Sequence, residues 1–155
     1  MREAYFAAGC FWGVEKAFAS VPGVTDTEVG YTGGTDDAPT YESVCTGKTG
    51  HAEAVKVIFD SAAVTYESLV RQFFKLHDPT QKDRQGPDVG TQYRSAIFYC
   101  DDAQKSVALE VIGELSLSGE YEQPITTELV PFTEWYKAEE YHQRYFEKNP
   151  GRNVC

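Results

Sequence analysis

Apolar and polar positions alternate, break and re-form along the chain in a way that separates short strands from amphipathic helices. The run 4–8 reads as a short apolar strand, and Val14, Phe18 and Val21 then recur at helical spacing. Pro22-Gly23 predicts a turn, and 24–31 a second strand. From Thr32 to Gly50 the pattern fails: Gly33-Gly34, Asp36-Asp37 and Pro39 predict a long loop, although Tyr41 and Cys45 lie within it. Period-two alternation returns over 51–59. It places His51, Glu53, Val55, Val57 and Phe59 on one face and Ala52, Ala54, Lys56 and Ile58 on the other.

Thr65 is suited to cap a helix bearing Tyr66, Leu69, Val70, Phe73 and His77 on one side, which Asp78-Pro79 ends. A polar loop, 81–92, precedes a fourth strand over about 93–100. Asp101 with Gln104 predicts a capping box for a helix running through Val107, Val111 and Leu115 to Gly119. A fifth strand is expected over 125–130, ending at Pro131. The stretch from Thr133 to Phe146 reads as helical in its second half, and Asn149-Pro150-Gly151 releases a mobile tail over 149–155.

Through the fourth strand the order is β-α-β-β-α-β, which predicts an α+β fold of the ferredoxin-like, split β-α-β two-layer type, with extra C-terminal helices, a strand and a tail. In that arrangement the first strand lies between the third and fourth and runs antiparallel to both. Cys10, at the end of the first strand, then comes beside the starts of the third and fourth strands, where Glu53 and Tyr93 stand. The second strand exits at the same edge and brings Tyr41 with it.

Length and composition narrow the picture. The 155 residues fit one domain with a core of its own. Fourteen basic against twenty-four acidic side chains, a net charge of -10, disfavour nucleic acid and anionic membranes as partners. The first strand begins within a few residues of Met1 and no apolar run reaches membrane-spanning length, so a cytoplasmic protein is expected. The four cysteines, Cys10, Cys45, Cys100 and Cys155, are dispersed without the spacing of a structural zinc site, and no metal is expected. In a reducing compartment they are inert or catalytic.

Cys10 stands out among them. Flanked by Gly9 and by Phe11-Trp12-Gly13, it falls at a strand-to-helix turn, where unpaired backbone N–H groups stabilise a thiolate. Glu53, on an apolar strand face, is either an edge residue or a carboxyl kept protonated by burial and able to act as a general acid. Tyr41 and Tyr93 could hydrogen-bond an oxygen that gains charge. His51, one pleat before Glu53, leaves a Cys-His hydrolase open by spacing, and a thiol peroxidase or a non-catalytic redox sensor are further alternatives. His77 and His142 read as structural or solvated, Cys100 as a buried core residue, and Cys155 as able to swing to Cys10.

Six motifs in order carry a family resemblance: 9–13 (GCFWG), 30–34 (GYTGG), 41–45 (YESVC), 49–55 (TGHAEAV), 77–81 (HDPTQ) and 88–95 (DVGTQYRS). Together they resemble the A-type peptide methionine sulfoxide reductases, over nearly the whole chain. The resemblance implies reduction of the S epimer of methionine sulfoxide, free or in proteins, and hence repair of oxidatively damaged proteins. It casts Cys10 as the nucleophile on sulfur, Glu53 as the proton donor with Tyr41 and Tyr93 assisting, and Phe11 and Trp12 as the pocket for the substrate methyl. Asp88 would order the polar side, and Tyr145 would line the pocket.

The implied cycle passes through a Cys10 sulfenic acid. A Cys10–Cys155 disulfide follows, which thioredoxin, or dithiothreitol in vitro, reduces with no bound cofactor. Many relatives carry a longer tail with two recycling cysteines, so Cys155 is assigned as the one resolving residue, with Cys45 as the fallback. The enzyme is expected to act as a monomer.

Overall fold

The computed structural model describes residues 1–151; Cys155 and the last part of the expected tail lie outside the described residues. In chain order the elements are β1 (Arg2–Ala8), α1 (Phe11–Ala19), β2 (Val24–Thr32), α2 (Tyr41–Cys45), β3 (Ala52–Phe59), α3 (Tyr66–Lys75), β4 (Arg84–Gln85), β5 (Asp88–Val89), β6 (Ser95–Tyr99), α4 (Asp102–Leu117), β7 (Glu128–Pro131), β8 (Tyr136–Lys137) and α5 (Tyr145–Lys148). Single 3-10 turns occupy Thr91–Tyr93 and Glu140–His142.

Six strands form one sheet in the order β7-β6-β1-β3-β2-β8. Its central four, β6-β1-β3-β2, have the antiparallel pairing of the ferredoxin-like order expected from the sequence. β7 extends this sheet parallel to β6, and β8 extends it antiparallel to β2.

Alternation along the strands divides the molecule into two apolar layers. Ala4, Phe6 and Ala8 of β1 and Val55, Val57 and Phe59 of β3 face the helices, where Phe18 of α1, Phe73 of α3 and Val111 of α4 complete the main core. Phe6 stacks between Phe18 and Phe73, with ring centroids 4.9 and 5.3 Å away. The opposite face presents Tyr5, Ala7, Ala52, Ala54, Ala96 and Phe98, and it is covered by Val130, Phe132 and Trp135 from the C-terminal part of the chain.

Helix starts follow the expected capping chemistry. Thr65 Oγ1 accepts from Ser68 N at 3.1 Å, and an Asp101 carboxylate oxygen accepts from Gln104 N at 2.8 Å. The reciprocal half of the Asp101 box is displaced by one residue, because Gln104 Oε1 accepts from Cys100 N.

Several expectations are corrected. The stretch 32–50 contains the short helix α2, whose Thr40 cap and Ser43 satisfy each other's backbone groups. The fourth strand begins at Ser95, leaving Tyr93 in the 3-10 turn before it, and the fifth begins at Glu128. Cys100 is exposed, because it follows the last residue of β6 and has passed out of the sheet. The region 133–146 is largely not helical. Its backbone is committed to the edge of β2: Gly30 and Tyr31 pair with Lys137 and Tyr136, Ala138 N donates to Val29 O, and the Gln143 side chain binds Val29 N and O.

Candidate active site

The site forms where β1 turns into α1. Gly9, at φ +96°, makes the turn, and Cys10 is the N-cap residue of α1. The first amide of the helix, Phe11 N, donates to Glu53 Oε1 at 3.2 Å across 42 positions of sequence. A carboxyl therefore sits on the same helix end that carries the cysteine, as the strand order required.

Glu53 projects from β3 into the main core and is 1% exposed. Its other oxygen, Oε2, is buried with no hydrogen-bond partner among the described residues. Removal from water raises its pKa to about 8; the Phe11 amide works against that shift and the charge of Asp88 adds to it. At neutral pH Glu53 therefore holds a proton, on a carboxyl with one oxygen open to a further partner.

Two hydroxyls complete the polar side. Tyr41, the first residue of α2, and Tyr93, the last of the 3-10 turn, lie close enough to Glu53 for its charge to act on both, and their hydroxyls neighbour each other. Burial first, then the nearby acidic groups, pushes both upward, Tyr93 to about 12, so both remain donors. Tyr41 is held from the C-terminal region: Glu139 Oε2 accepts from Tyr41 N at 2.9 Å, and Glu139 Oε1 from the Tyr31 hydroxyl at 2.8 Å. Cys45, at the other end of α2, is a free thiol within reach of both tyrosine hydroxyls; burial raises its pKa, and those hydroxyls act in the opposite direction. Asp88 is half-buried on β5 and is close enough to act on Glu53.

The apolar side is aromatic. Phe11 is buried, and half-buried Trp12 stacks face to face on Tyr145 with centroids 3.7 Å apart and planes 4° apart. His142, 1% exposed, accepts from the Trp12 indole N–H through Nδ1 at 2.9 Å and packs against Phe11 and Tyr41. His142 is thus not solvated but packed behind Trp12 and Phe11. No motif marks it, because its partner is 130 positions away.

The other expected groups divide clearly. His51 has both ring nitrogens engaged, Nδ1 accepting from Gly34 N at 3.0 Å and Nε2 lying 2.6 Å from Asp36 O. It is occupied in holding the 33–36 loop, which removes the base that a Cys-His hydrolase would need. Half-buried His77 sits between Phe73 O and Ser95 Oγ, and removal from water lowers its pKa to about 4. Cys10 is disulfide-bonded, whereas Cys45 and Cys100 are free. Among the described residues no helix is long and apolar enough to cross a membrane.

Comparison with known proteins identifies the chain's relatives. A family model described as peptide methionine sulfoxide reductase matches residues 2–155. A peptide methionine sulfoxide reductase MsrA of Methanosarcina mazei is 60% identical over 148 residues, covering 96% of this chain and 70% of the relative. Mxr1 of Saccharomyces cerevisiae, solved in reduced form, is 36% identical, with a TM-score of 0.92 over 99% of this chain and 88% of that one. Mxr1 in complex with Trx2 matches at 24% identity, with a TM-score of 0.65 over 93% of this chain and 84% of that one, a likeness of fold. With the family model spanning nearly the whole chain and a relative 60% identical over 96% of it, the chain belongs to the peptide methionine sulfoxide reductase family.

Proposed function

We propose that the chain reduces the S epimer of methionine sulfoxide, free or in proteins, to methionine. The observation that carries this reading is Glu53: a carboxyl protonated at neutral pH, bonded to the helix end that bears Cys10, with its second oxygen open. A thiolate attacking a sulfoxide sulfur needs a proton for the departing oxygen, and this carboxyl supplies one. Tyr41 and Tyr93 donate to the same oxygen as charge develops on it. Phe11 and Trp12 receive the methyl group, with Tyr145 behind the indole, and Asp88 borders the polar side.

Bond by bond, the Cys10 sulfur bonds to the substrate sulfur as the protonated oxygen leaves it. That sulfur–sulfur bond then breaks as oxygen, at the level of water, bonds to the Cys10 sulfur. Sulfoxide and thiol become methionine and a Cys10 sulfenic acid, so the substrate sulfur gains two electrons and Cys10 loses them. A second thiol then displaces water from the sulfenic acid to give a disulfide, which a dithiol reductant returns to two thiols. We assign the resolving step to Cys155.

Thioredoxin is the reductant this reading favours, in keeping with the Trx2 complex of the yeast relative. No bound cofactor enters the cycle. The reading takes the enzyme as a monomer, and a thiol cycle of this kind suits the reducing cytoplasm.

The test is turnover of separated S and R epimers of a peptide methionine sulfoxide by the native chain, Cys10→Ser and Cys155→Ser. The reading expects S-only activity that is abolished in Cys10→Ser. In Cys155→Ser it should be lost with thioredoxin but kept with dithiothreitol. Turnover of neither epimer would overturn the activity, and full thioredoxin-linked turnover in Cys155→Ser would overturn the resolving assignment.

A further inference from the structure

The 77–81 motif contributes no group to the chemistry above, yet the structure ties it to the site through a small hairpin. β4 and β5 form a two-stranded ribbon separate from the main sheet, with Gln85 opposite Asp88 and Arg84 opposite Val89. A two-stranded ribbon of this size has too little apolar surface to hold itself in place. Its anchors are two glutamine side chains.

Gln85 makes a two-pronged bond to the main chain of Asp78. Its Oε1 accepts from Asp78 N at 3.0 Å, and its Nε2 donates to Asp78 O at 2.9 Å. From the opposite direction, Gln81 Oε1 accepts from Gly86 N, at the tip of the ribbon, at 2.7 Å. The ribbon's neck is closed by Gly90 N donating to Asp83 O at 2.9 Å. Donor and acceptor of one planar amide are both used on Asp78, which fixes the Gln85 side chain in orientation as well as distance.

The position so fixed is adjacent to the reacting cysteine. A Cβ placed on Gly9 would lie 2.9 Å from Gln85 Cβ, so the ribbon packs directly on the residue before Cys10. Directly across the ribbon from Gln85 is Asp88, the acidic group that acts on Glu53.

We propose that Gln85 and Gln81 are positioning residues, which latch the ribbon to the 77–81 segment and thereby hold Asp88 at the wall of the active site. The inference rests on the reductase reading and extends it: the 77–81 motif becomes the abutment for a site wall. A misplacement of about an ångström in such a support is enough to lower a rate substantially.

A double-mutant cycle on the reduced enzyme tests it, using Gln85→Met, which keeps the side-chain length and removes both hydrogen bonds, and Asp88→Asn. Gln85→Met should lower kcat/KM for the S sulfoxide about tenfold, chiefly through KM, and by less than about twofold in the Asp88→Asn background. Backbone hydrogen exchange over 85–90 should rise in Gln85→Met while exchange in β1 and β3 stays unchanged. Gln81→Met, which releases the tip alone, should show the same coupling with Asp88→Asn and serves if Gln85→Met does not fold.

Equal losses in both backgrounds, or unchanged exchange over 85–90, would overturn the latch. An inactive native chain would instead overturn the reductase reading together with the role built on it.

Discussion

The indole N–H of Trp12 donates to Nδ1 of His142 at 2.9 Å, which places the proton of a neutral His142 on Nε2. Burial lowers the His142 pKa and keeps the ring neutral, able to accept. His142→Phe keeps the aromatic packing and loses the acceptor. It should raise KM for the sulfoxide about fivefold, the weight of one hydrogen bond, with a smaller change in kcat. Steady-state kinetics on the S epimer check it.

Glu53 gives a pH dependence whose sign follows from its raised pKa. The unfolded carboxyl ionises near 4.5, the ordinary glutamate value, and the folded one near 8. Over that interval the native state binds more protons, so Glu53's contribution is fully present below the lower value and is lost as pH rises through the upper one. Between pH 5 and pH 8 the native chain should lose about 3 kcal/mol that Glu53→Gln keeps. Urea midpoints of the two proteins across that range measure it. The same variant cannot deliver a proton and should slow the reductase step about 100-fold or more in single turnover.

Gly9 is required twice, by its positive φ and by the approach of Gln85. Gly9→Ala should cost about 1–3 kcal/mol of stability and displace Cys10 from the end of α1, with a loss of activity larger than the loss of folded protein explains. Thermal melts alongside single-turnover rates separate the two effects.

His51 supports a loop and moves no proton. His51→Ala should destabilise the fold by about 1–3 kcal/mol through the unpaired Gly34 amide, while the pH profile of the reductase step keeps its shape. A profile that loses a limb near neutral pH would restore His51 as a base.

The central sheet was legible because its signals are local. Period-two alternation placed Glu53 and Val55 on one face, and the strand order then carried Glu53 to the end of α1 with no further information. The motifs named Cys10, Tyr41 and Tyr93 in the same way. What remained hidden depends on partners far away in sequence. The aromatic spacing of 135–146 resembles a helix, but Trp135 packs on one face of the sheet and Tyr136 borders the other, while Gln143 substitutes for a strand at Val29. His142 could be assigned only once that segment was known to fold back on Trp12. Cys100 was misplaced because strand patterning does not say at which residue the chain leaves the sheet.

The outer strand of a sheet is a template for a stranger's backbone, and β2 would be such a template. β8 covers it with only two residues, and Gln143 carries the cover further by binding Val29 N and O and anchoring to Ala138 O. The stretch that brings Tyr145 and His142 against Trp12 is therefore also the guard against strand-to-strand self-assembly. A chain nicked or shortened ahead of Tyr136 would forfeit catalysis and acquire an adhesive edge in the same event.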